Sequence, residues 1–195
     1  MKFQCEDEVG HPVEEVFALI RDDMPSLVPY LNDVEEIRVL TRTDAGEGKV
    51  RILNLWRGSA KKAPTVVQKF LSPDLLTWKD DALWHSEAPR RAEWKLLPNL
   101  GGSLFTCTGT TSLLERGPNR MAIRIEGEIN VYPERLPGVP RILAGKLRGK
   151  IESFVVDMVV PNMQTMARGV QAYFDDQIGS RSEGESASRS AGEPI

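Results

Sequence analysis

The chain has 195 residues and a formal net charge of −3, and 41% of its residues are hydrophobic and 27% charged. A chain of this length and composition suits one soluble domain, which buries enough surface to be stable without a metal or a disulfide. The near-neutral charge excludes the basic composition that is typical of nucleic-acid-binding domains, so we expect no nucleic-acid partner.

The N-terminal segment has the pattern of a strand followed by two short helices. Apolar and polar residues alternate over residues 3–9, which predicts the first strand. Residues 11–20 place their apolar side chains on one helical face, and Pro12 is suited to the first helical position. A second short helix is predicted at residues 26–31.

The middle of the chain predicts antiparallel strands joined by turns. A hairpin connection at residues 44–48 joins strands at 35–43 and 49–57. Further strands are predicted at 75–84, 92–97 and 104–114. The clearest strand, at 121–131, alternates apolar and polar residues, as in a sheet with one face on the core. Gly127 falls on its apolar face, where we expect a bend or a close backbone approach.

The C-terminal part changes to helical spacing and then to a polar tail. Apolar residues three and four positions apart predict one long helix at residues 143–174. Pro161 interrupts it, and because proline lacks a backbone N–H and clashes with the preceding turn, we expect a kink at 157–161. Residues 179–195 are rich in Ser and Gly and contain no aromatic residue. They are predicted to form a flexible tail behind a domain of residues 1–178.

Together these elements predict an α+β fold, in which a curved antiparallel sheet of six or seven strands wraps around a long C-terminal helix. A single helix does not fill the curved ends of such a sheet, so an apolar space is expected between the two. A family resemblance rests on four segments: the strand 3–9, the helix start His11-Pro12-Val13-Glu14-Glu15-Val16-Phe17, the strand 121–131 and the helix 143–174.

In order and hydrophobic pattern, residues 1–174 resemble the START-like helix-grip superfamily. This superfamily includes the birch-pollen allergen, polyketide cyclase/dehydratase relatives and lipid-transfer domains. The resemblance implies a cavity that holds a lipid, a sterol, a polyketide, an isoprenoid or a similar apolar molecule.

Candidate wall residues for this cavity are aromatic, aliphatic and methionine side chains, with two asparagines as polar anchors. Methionine fills irregular space, and small-molecule pockets use few polar groups in an apolar wall. The candidates are Asn54, Trp56, Trp78, Trp84, Trp94, Phe105, Met121, Ile123, Ile125, Phe154, Met158, Asn162 and Met166. The alternative interpretation is that the same side chains pack a dry core.

Three functions are consistent with this pattern. The first is binding or transport of a hydrophobic, lipid-like small molecule. The second is an enzyme of the polyketide cyclase/dehydratase type, which exchanges protons through Asn54, His85 and Asn162. The third is an adaptor that binds another protein through its sheet and its tail.

We favour the first function because the sequence contains no catalytic motif. His11 and His85 lack the spacing of a catalytic triad, and neither a phosphate-binding loop nor a nucleophile elbow occurs. Neither a metal site nor a cofactor is expected, because the cysteines and histidines lack paired short spacings.

Two basic segments predict a transient contact with an anionic membrane surface. They contain Arg57, Lys61, Lys62, Arg135, Arg141, Lys146, Arg148 and Lys150, and the second has apolar residues between its charges. A solvated charged face is the alternative interpretation.

The sequence also predicts a location. The N-terminus lacks the apolar core of a signal peptide, and no run of about 20 apolar residues occurs. Cys5 and Cys107 lie far apart and do not have the spacing of an extracellular disulfide framework. A cytoplasmic protein with free thiols is therefore expected.

Overall fold

The computed structural model describes residues 1–61, 65, 73–99, 104–135 and 141–190. Its strands are β1 (Lys2–Val9), β2 (Val34–Gly46), β3 (Lys49–Gly58), β4 (Thr77–His85), β5 (Arg91–Pro98), β6 (Phe105–Gly117) and β7 (Arg120–Val131). Its α-helices are α1 (Val13–Asp22), α2 (Arg141–Gln164) and α3 (Met166–Ser190). Short 3-10 helices occupy Met24–Tyr30, Pro73–Leu76 and Pro133–Arg135.

The strands form one antiparallel sheet in the order β1-β7-β6-β5-β4-β3-β2. Strands that follow one another from β2 to β7 are neighbours, and β1 pairs with β7 at the far edge. The sheet is curved, and the C-terminal helices complete the domain. This architecture confirms the predicted α+β helix-grip fold, with seven strands.

Alternation along the strands determines which face of the sheet is buried. In β4, Trp78, Ala82 and Trp84 are at most 4% exposed, whereas the residues between them are partly exposed, apart from Asp80. The predicted strand limits agree with the structure within a few residues. The turn after β2 is tighter than predicted, because positive φ angles at Glu47 (52°) and Gly48 (69°) allow strand pairing to continue to Gly46.

Helix α1 begins at Val13, whereas the sequence predicts Pro12 as the first helical residue. Pro12 precedes α1 as the N-cap, and its carbonyl accepts the first helical hydrogen bond from Val16 N at 3.2 Å. The helix buries Val16, Phe17 and Ile20 in the core. The short helix predicted at residues 26–31 is the 3-10 helix Met24–Tyr30.

The long C-terminal helix is interrupted at Thr165, four residues after Pro161, and the predicted kink at residues 157–161 stays a prediction. Pro161 lies inside α2, and the helical assignment continues through it to Gln164. Both the backbone N–H and the side-chain hydroxyl of Thr165 donate to the Pro161 carbonyl, at 2.9 and 2.8 Å. A threonine hydroxyl that bonds to the carbonyl four residues earlier bends a helix, so the break follows the proline.

The helical backbone of α3 continues to Ser190, beyond the predicted helix end at residue 174. Residues 191–195 lie outside the described residues. The boundary between a folded domain and a flexible tail at residues 178–179 stays a prediction. Within the described part of the chain, none of the helices has the length and apolar character needed to cross a membrane.

Candidate functional site

A cavity of about 60 Å³ lies between the buried face of the sheet and the helices. Its wall is mostly apolar and draws on five strands, on α1, on the 3-10 helix that follows it, and on both C-terminal helices. The wall consists of Ile20, Met24, Trp56, Trp78, Asp80, Ala82, Trp84, Trp94, Leu96, Thr111, Ile125, Val159, Asn162, Met163 and Met166.

The sheet side of the cavity is built from tryptophan. All four tryptophans of the chain line it, and each is at most 8% exposed. Trp56 on β3 and Trp78 on β4 are paired in register, and their rings stack with centroids 6.0 Å apart. Large aromatic rings that pack against one another on adjacent strands make this side of the cavity rigid.

Two glycines make room for the Trp94 ring. Trp94 on β5, Gly109 on β6, Gly127 on β7 and Phe3 on β1 form one row across the sheet. A Cβ at Gly109 would lie 2.4 Å from the Trp94 ring, and one at Gly127 would lie 2.6 Å from Phe3. The indole N–H of Trp94 donates to Thr111 Oγ1 at 3.0 Å, which fixes the ring in the wall. The close approach predicted at Gly127 is confirmed.

The helical side of the cavity contains three methionines. Met24 follows α1, whereas Met163 and Met166 lie on either side of the Thr165 break. Methionine has three rotatable side-chain bonds and adapts its shape to its surroundings. Asn162, which is 4% exposed, is the polar side chain that α2 contributes to the wall.

The titratable group in the wall is the carboxyl of Asp80, in the middle of the sheet side. Burial raises the pKa of Asp80 to about 7, and the nearby charge of Asp81 adds to the increase. The Asn54 amide, opposite Asp80 in register, and the Trp56 indole N–H favour the ionised form and so oppose this shift. The Trp56 N–H reaches no acceptor among the described residues at hydrogen-bond geometry.

Two solved structures share this architecture over nearly their whole length. The Thermus thermophilus protein TTHA0849 is 18% identical, with a TM-score of 0.57, and the match covers 89% of this chain and 96% of that one. The Zhui aromatase/cyclase from Streptomyces is 10% identical, with a TM-score of 0.56, over 91% of this chain and 95% of that one. The chain has the helix-grip fold of these two proteins.

At these identities the similarity establishes the helix-grip fold and nothing finer. A START superfamily protein from Mycobacterium smegmatis also matches, at 11% identity and a TM-score of 0.45, over 86% of this chain and 97% of that one. No protein-family model matches the sequence, and no curated protein does.

The helix-grip cavity brings together part of the predicted set of wall residues. Those that line it are Trp56, Trp78, Trp84, Trp94, Ile125, Asn162 and Met166. Those buried elsewhere are Phe105, Met121, Ile123 and Phe154, whereas Asn54 is buried beside Asp80, just outside the wall. Met158 lies on α2, but its side chain is outside the described residues. The ligand-binding role of the whole set stays a prediction.

Sequence reasoning missed Asp80, which is not among the predicted wall residues. Asp80 alternates in β4 with Trp78, Ala82 and Trp84, and this spacing places it on the buried face. The signal was therefore present in the sequence. Thr111 and the helical residues Val159 and Met163 were also missed.

The two histidines and the two cysteines do not line the helix-grip cavity. His85 Nε2 lies 3.4 Å from Glu93 Oε1, and the His11 ring stacks on Phe174. Both cysteines are free thiols. Among the described residues, no three His, Cys, Asp or Glu side chains are grouped as metal ligands.

Several basic side chains of the two basic segments contact acidic or aromatic side chains. Arg57 contacts Glu35 and Glu36, and Arg148 pairs with Glu152 at 2.8 Å. The Arg135 guanidinium lies 4.2 Å from the centre of the Tyr132 ring. Lys62, together with the apolar residues 136 and 139 of the second segment, lies outside the described residues.

Proposed function

We propose that this protein binds a small, mainly apolar molecule in the cavity between its sheet and its C-terminal helices. The observation that carries the proposal is an apolar wall lined by all four tryptophans, with the buried carboxyl of Asp80 among them. A wall that only filled space would not need a carboxyl, because burying a charged group costs free energy.

The size of the cavity limits the ligand. Its volume of about 60 Å³ is well below the roughly 300–1,000 Å³ of pockets for drug-sized ligands. The ligand is therefore small, or the wall moves to admit it. Movement of Met24, Met163 and Met166 enlarges the space on the helical side, while the stacked tryptophans keep the sheet side fixed.

The cyclase-like alternative is not proposed. Of the residues predicted for it, His85 lies outside the cavity wall, and Asn54 and Asn162 carry amides, which act neither as acids nor as bases near neutral pH. The fold shared with the Zhui aromatase/cyclase at 10% identity does not extend that protein's activity to this chain. A cytoplasmic location and a transient contact with anionic membranes remain parts of the proposal.

The test uses the tryptophans as reporters. Because all four line the cavity, binding of benzyl alcohol or toluene is expected to give a saturable change in tryptophan fluorescence, and native mass spectrometry of gently purified protein is expected to reveal a retained ligand. No saturable change with either probe, together with a ligand-free mass, overturns the proposal.

Three variants locate the binding. Ala82→Leu fills the cavity and is expected to weaken probe binding about tenfold or more, whereas Met163→Ala enlarges the cavity and is expected to strengthen it. Ala45→Leu makes the same change as the first variant at an exposed position and is expected to leave binding unchanged. Equal effects of both leucine variants would place the probe outside the cavity.

A further inference from the structure

Asp80 occupies an unusual position for a carboxyl. It lies in the middle of the buried face, with Trp78 and Ala82 beside it on β4 and Leu96 opposite it on β5, and it is only 9% exposed. Its neighbour Asp81 points to the other face and pairs with Arg51 at 2.6 Å. No cationic side chain of the described residues contacts Asp80. Its natural counter-ion is therefore not supplied by that part of the chain.

The surroundings of Asp80 are suited to an organic cation. Indole rings attract cations through the negative potential of their faces, and tryptophan does this best among the aromatic residues. Trp78 is next to Asp80 on the same face of β4, and Trp56 stacks on Trp78. A cation at this point would be in contact with both a carboxylate and aromatic rings.

The hydrogen-bonding groups around Asp80 lead to the same conclusion. Asn54 Oδ1 is buried and has no donor among the described residues, and the carboxylate oxygens of Asp80 are further acceptors. The Trp56 N–H and the Asn54 amide already favour the ionised carboxylate. An ammonium group, which offers only donors, complements these acceptors.

We propose that the occupant of the cavity is a hydrophobic organic cation, an amine in its ammonium form. Its charged group binds Asp80 beside the tryptophan rings, and its apolar part lies against Met163 and Met166. This inference rests on the proposed function, that the cavity binds a small molecule.

Titration of Asp80 gives the proposal a pH dependence. Burial raises the pKa of Asp80 to about 7, so a cation that needs the carboxylate binds more tightly as pH rises through this value. Other groups do not disturb this dependence. Cys107 on β6, whose pKa burial raises to about 12, stays protonated, and Asp81 stays ionised beside Arg51. Among the described residues, the helices contribute only uncharged side chains to the wall.

The experiment compares benzylamine, benzyl alcohol and toluene, which have similar shapes, by tryptophan fluorescence with the full chain. At about pH 8 we expect benzylamine to bind at least about tenfold more tightly than benzyl alcohol. Its affinity is expected to rise about tenfold between about pH 6 and about pH 8, because the amine stays protonated while Asp80 ionises.

Two Asp→Asn variants distinguish binding at Asp80 from an effect of a carboxyl on the opposite face of the sheet. Asp80→Asn keeps the side-chain volume and is expected to abolish both the preference for benzylamine and its pH dependence. Asp81→Asn removes a carboxyl from the opposite face and is expected to preserve both. If Asp80→Asn does not fold, the pH profile of the unmodified chain decides the matter.

The outcomes distinguish this inference from the proposed function. If benzyl alcohol or toluene binds as tightly as benzylamine, or if affinity for the amine falls as pH rises, the cation proposal is wrong while cavity binding stands. If none of the three probes binds, the proposed function itself fails.

Discussion

Because the carboxyl of Asp80 is buried, it lowers the stability of the folded protein. A buried carboxylate without a counter-ion loses its hydration, and the Asn54 amide and the Trp56 N–H offset only part of that loss. An apolar residue in this place would pack with Trp78 and Ala82 at no such cost. We infer that Asp80 serves binding at the expense of stability, as polar groups in binding sites commonly do.

This cost predicts how stability depends on pH. The folded-state pKa of Asp80, about 7, lies above its ordinary value of 3.8, so the folded chain retains a proton that the unfolded chain releases. Stability therefore falls as pH rises from about 4 to about 7. The free energy of unfolding of the unmodified chain, relative to Asp80→Asn, is expected to fall by an amount on the order of 4 kcal/mol over this range. Urea denaturation at a series of pH values measures it.

Asp81→Asn provides the control of opposite sign. The Arg51 guanidinium lowers the pKa of Asp81, so the stability that Asp81 contributes is present at neutral pH and is lost as pH falls through its folded-state pKa. A flat difference between the unmodified chain and Asp80→Asn across the range would show that the carboxyl is hydrated in the folded protein.

At the scale of elements, the sheet side of the cavity depends on the row formed by Trp94, Gly109, Gly127 and Phe3. The Trp94 ring lies over two neighbouring strands because neither glycine has a Cβ. A side chain at either glycine would push the ring into the cavity or off the sheet. These glycines therefore shape the cavity without lining it.

The substitution Gly109→Ala tests this row. The new Cβ would lie 2.2 Å from the carbonyl oxygen of Glu126 and 2.4 Å from the Trp94 ring, so we expect a loss of about 3 kcal/mol in the free energy of unfolding. We also expect a changed near-ultraviolet circular dichroism signal, because Trp94 moves. Gly117→Ala, also on β6 but in open space, is expected to change stability by less than about 0.5 kcal/mol. Equal stability of the two variants would place Trp94 elsewhere.

Sequence patterns were sufficient for the elements and for their faces. Alternation along β7 identified the buried side of this strand because successive strand side chains point in opposite directions. The interruption at Thr165 was not predicted, because Pro161 shows only where a backbone hydrogen bond is lost, whereas the Thr165 hydroxyl bonds to the Pro161 carbonyl one turn later.

Alternation along a strand predicts which side chains are buried, but it does not predict which of the buried side chains line the cavity. It places Ile123 and Ile125 on the same face, but Ile125 alone lines the cavity. The difference depends on where the helices cover the strand, which is a tertiary property that strand periodicity does not contain. Asp80 follows the same alternation in β4 as Trp78 and Trp84, but a carboxyl is not a residue type that an apolar wall predicts.

At the scale of the whole molecule, the cavity has one rigid and one adaptable side. The stacked tryptophans belong to a sheet of seven hydrogen-bonded strands, whereas Met163 and Met166 belong to helices that meet at the Thr165 break. A ligand larger than about 60 Å³ is therefore expected to move the helices rather than the sheet.

The reactivity of the Cys107 thiol tests whether β6 stays paired with its neighbouring strands. It lies on β6, between two paired strands, and is 0% exposed, and burial raises the pKa of its thiol to about 12. Because only an exposed thiolate reacts with disulfide reagents, we expect Cys107 in a Cys5→Ser variant to react at least about a thousandfold more slowly in the folded chain than in the unfolded one. This rate should rise with urea in parallel with the unfolding equilibrium measured by tryptophan fluorescence. A fast rate that does not depend on urea would instead mean that β6 opens locally and that the sheet side of the cavity is not rigid.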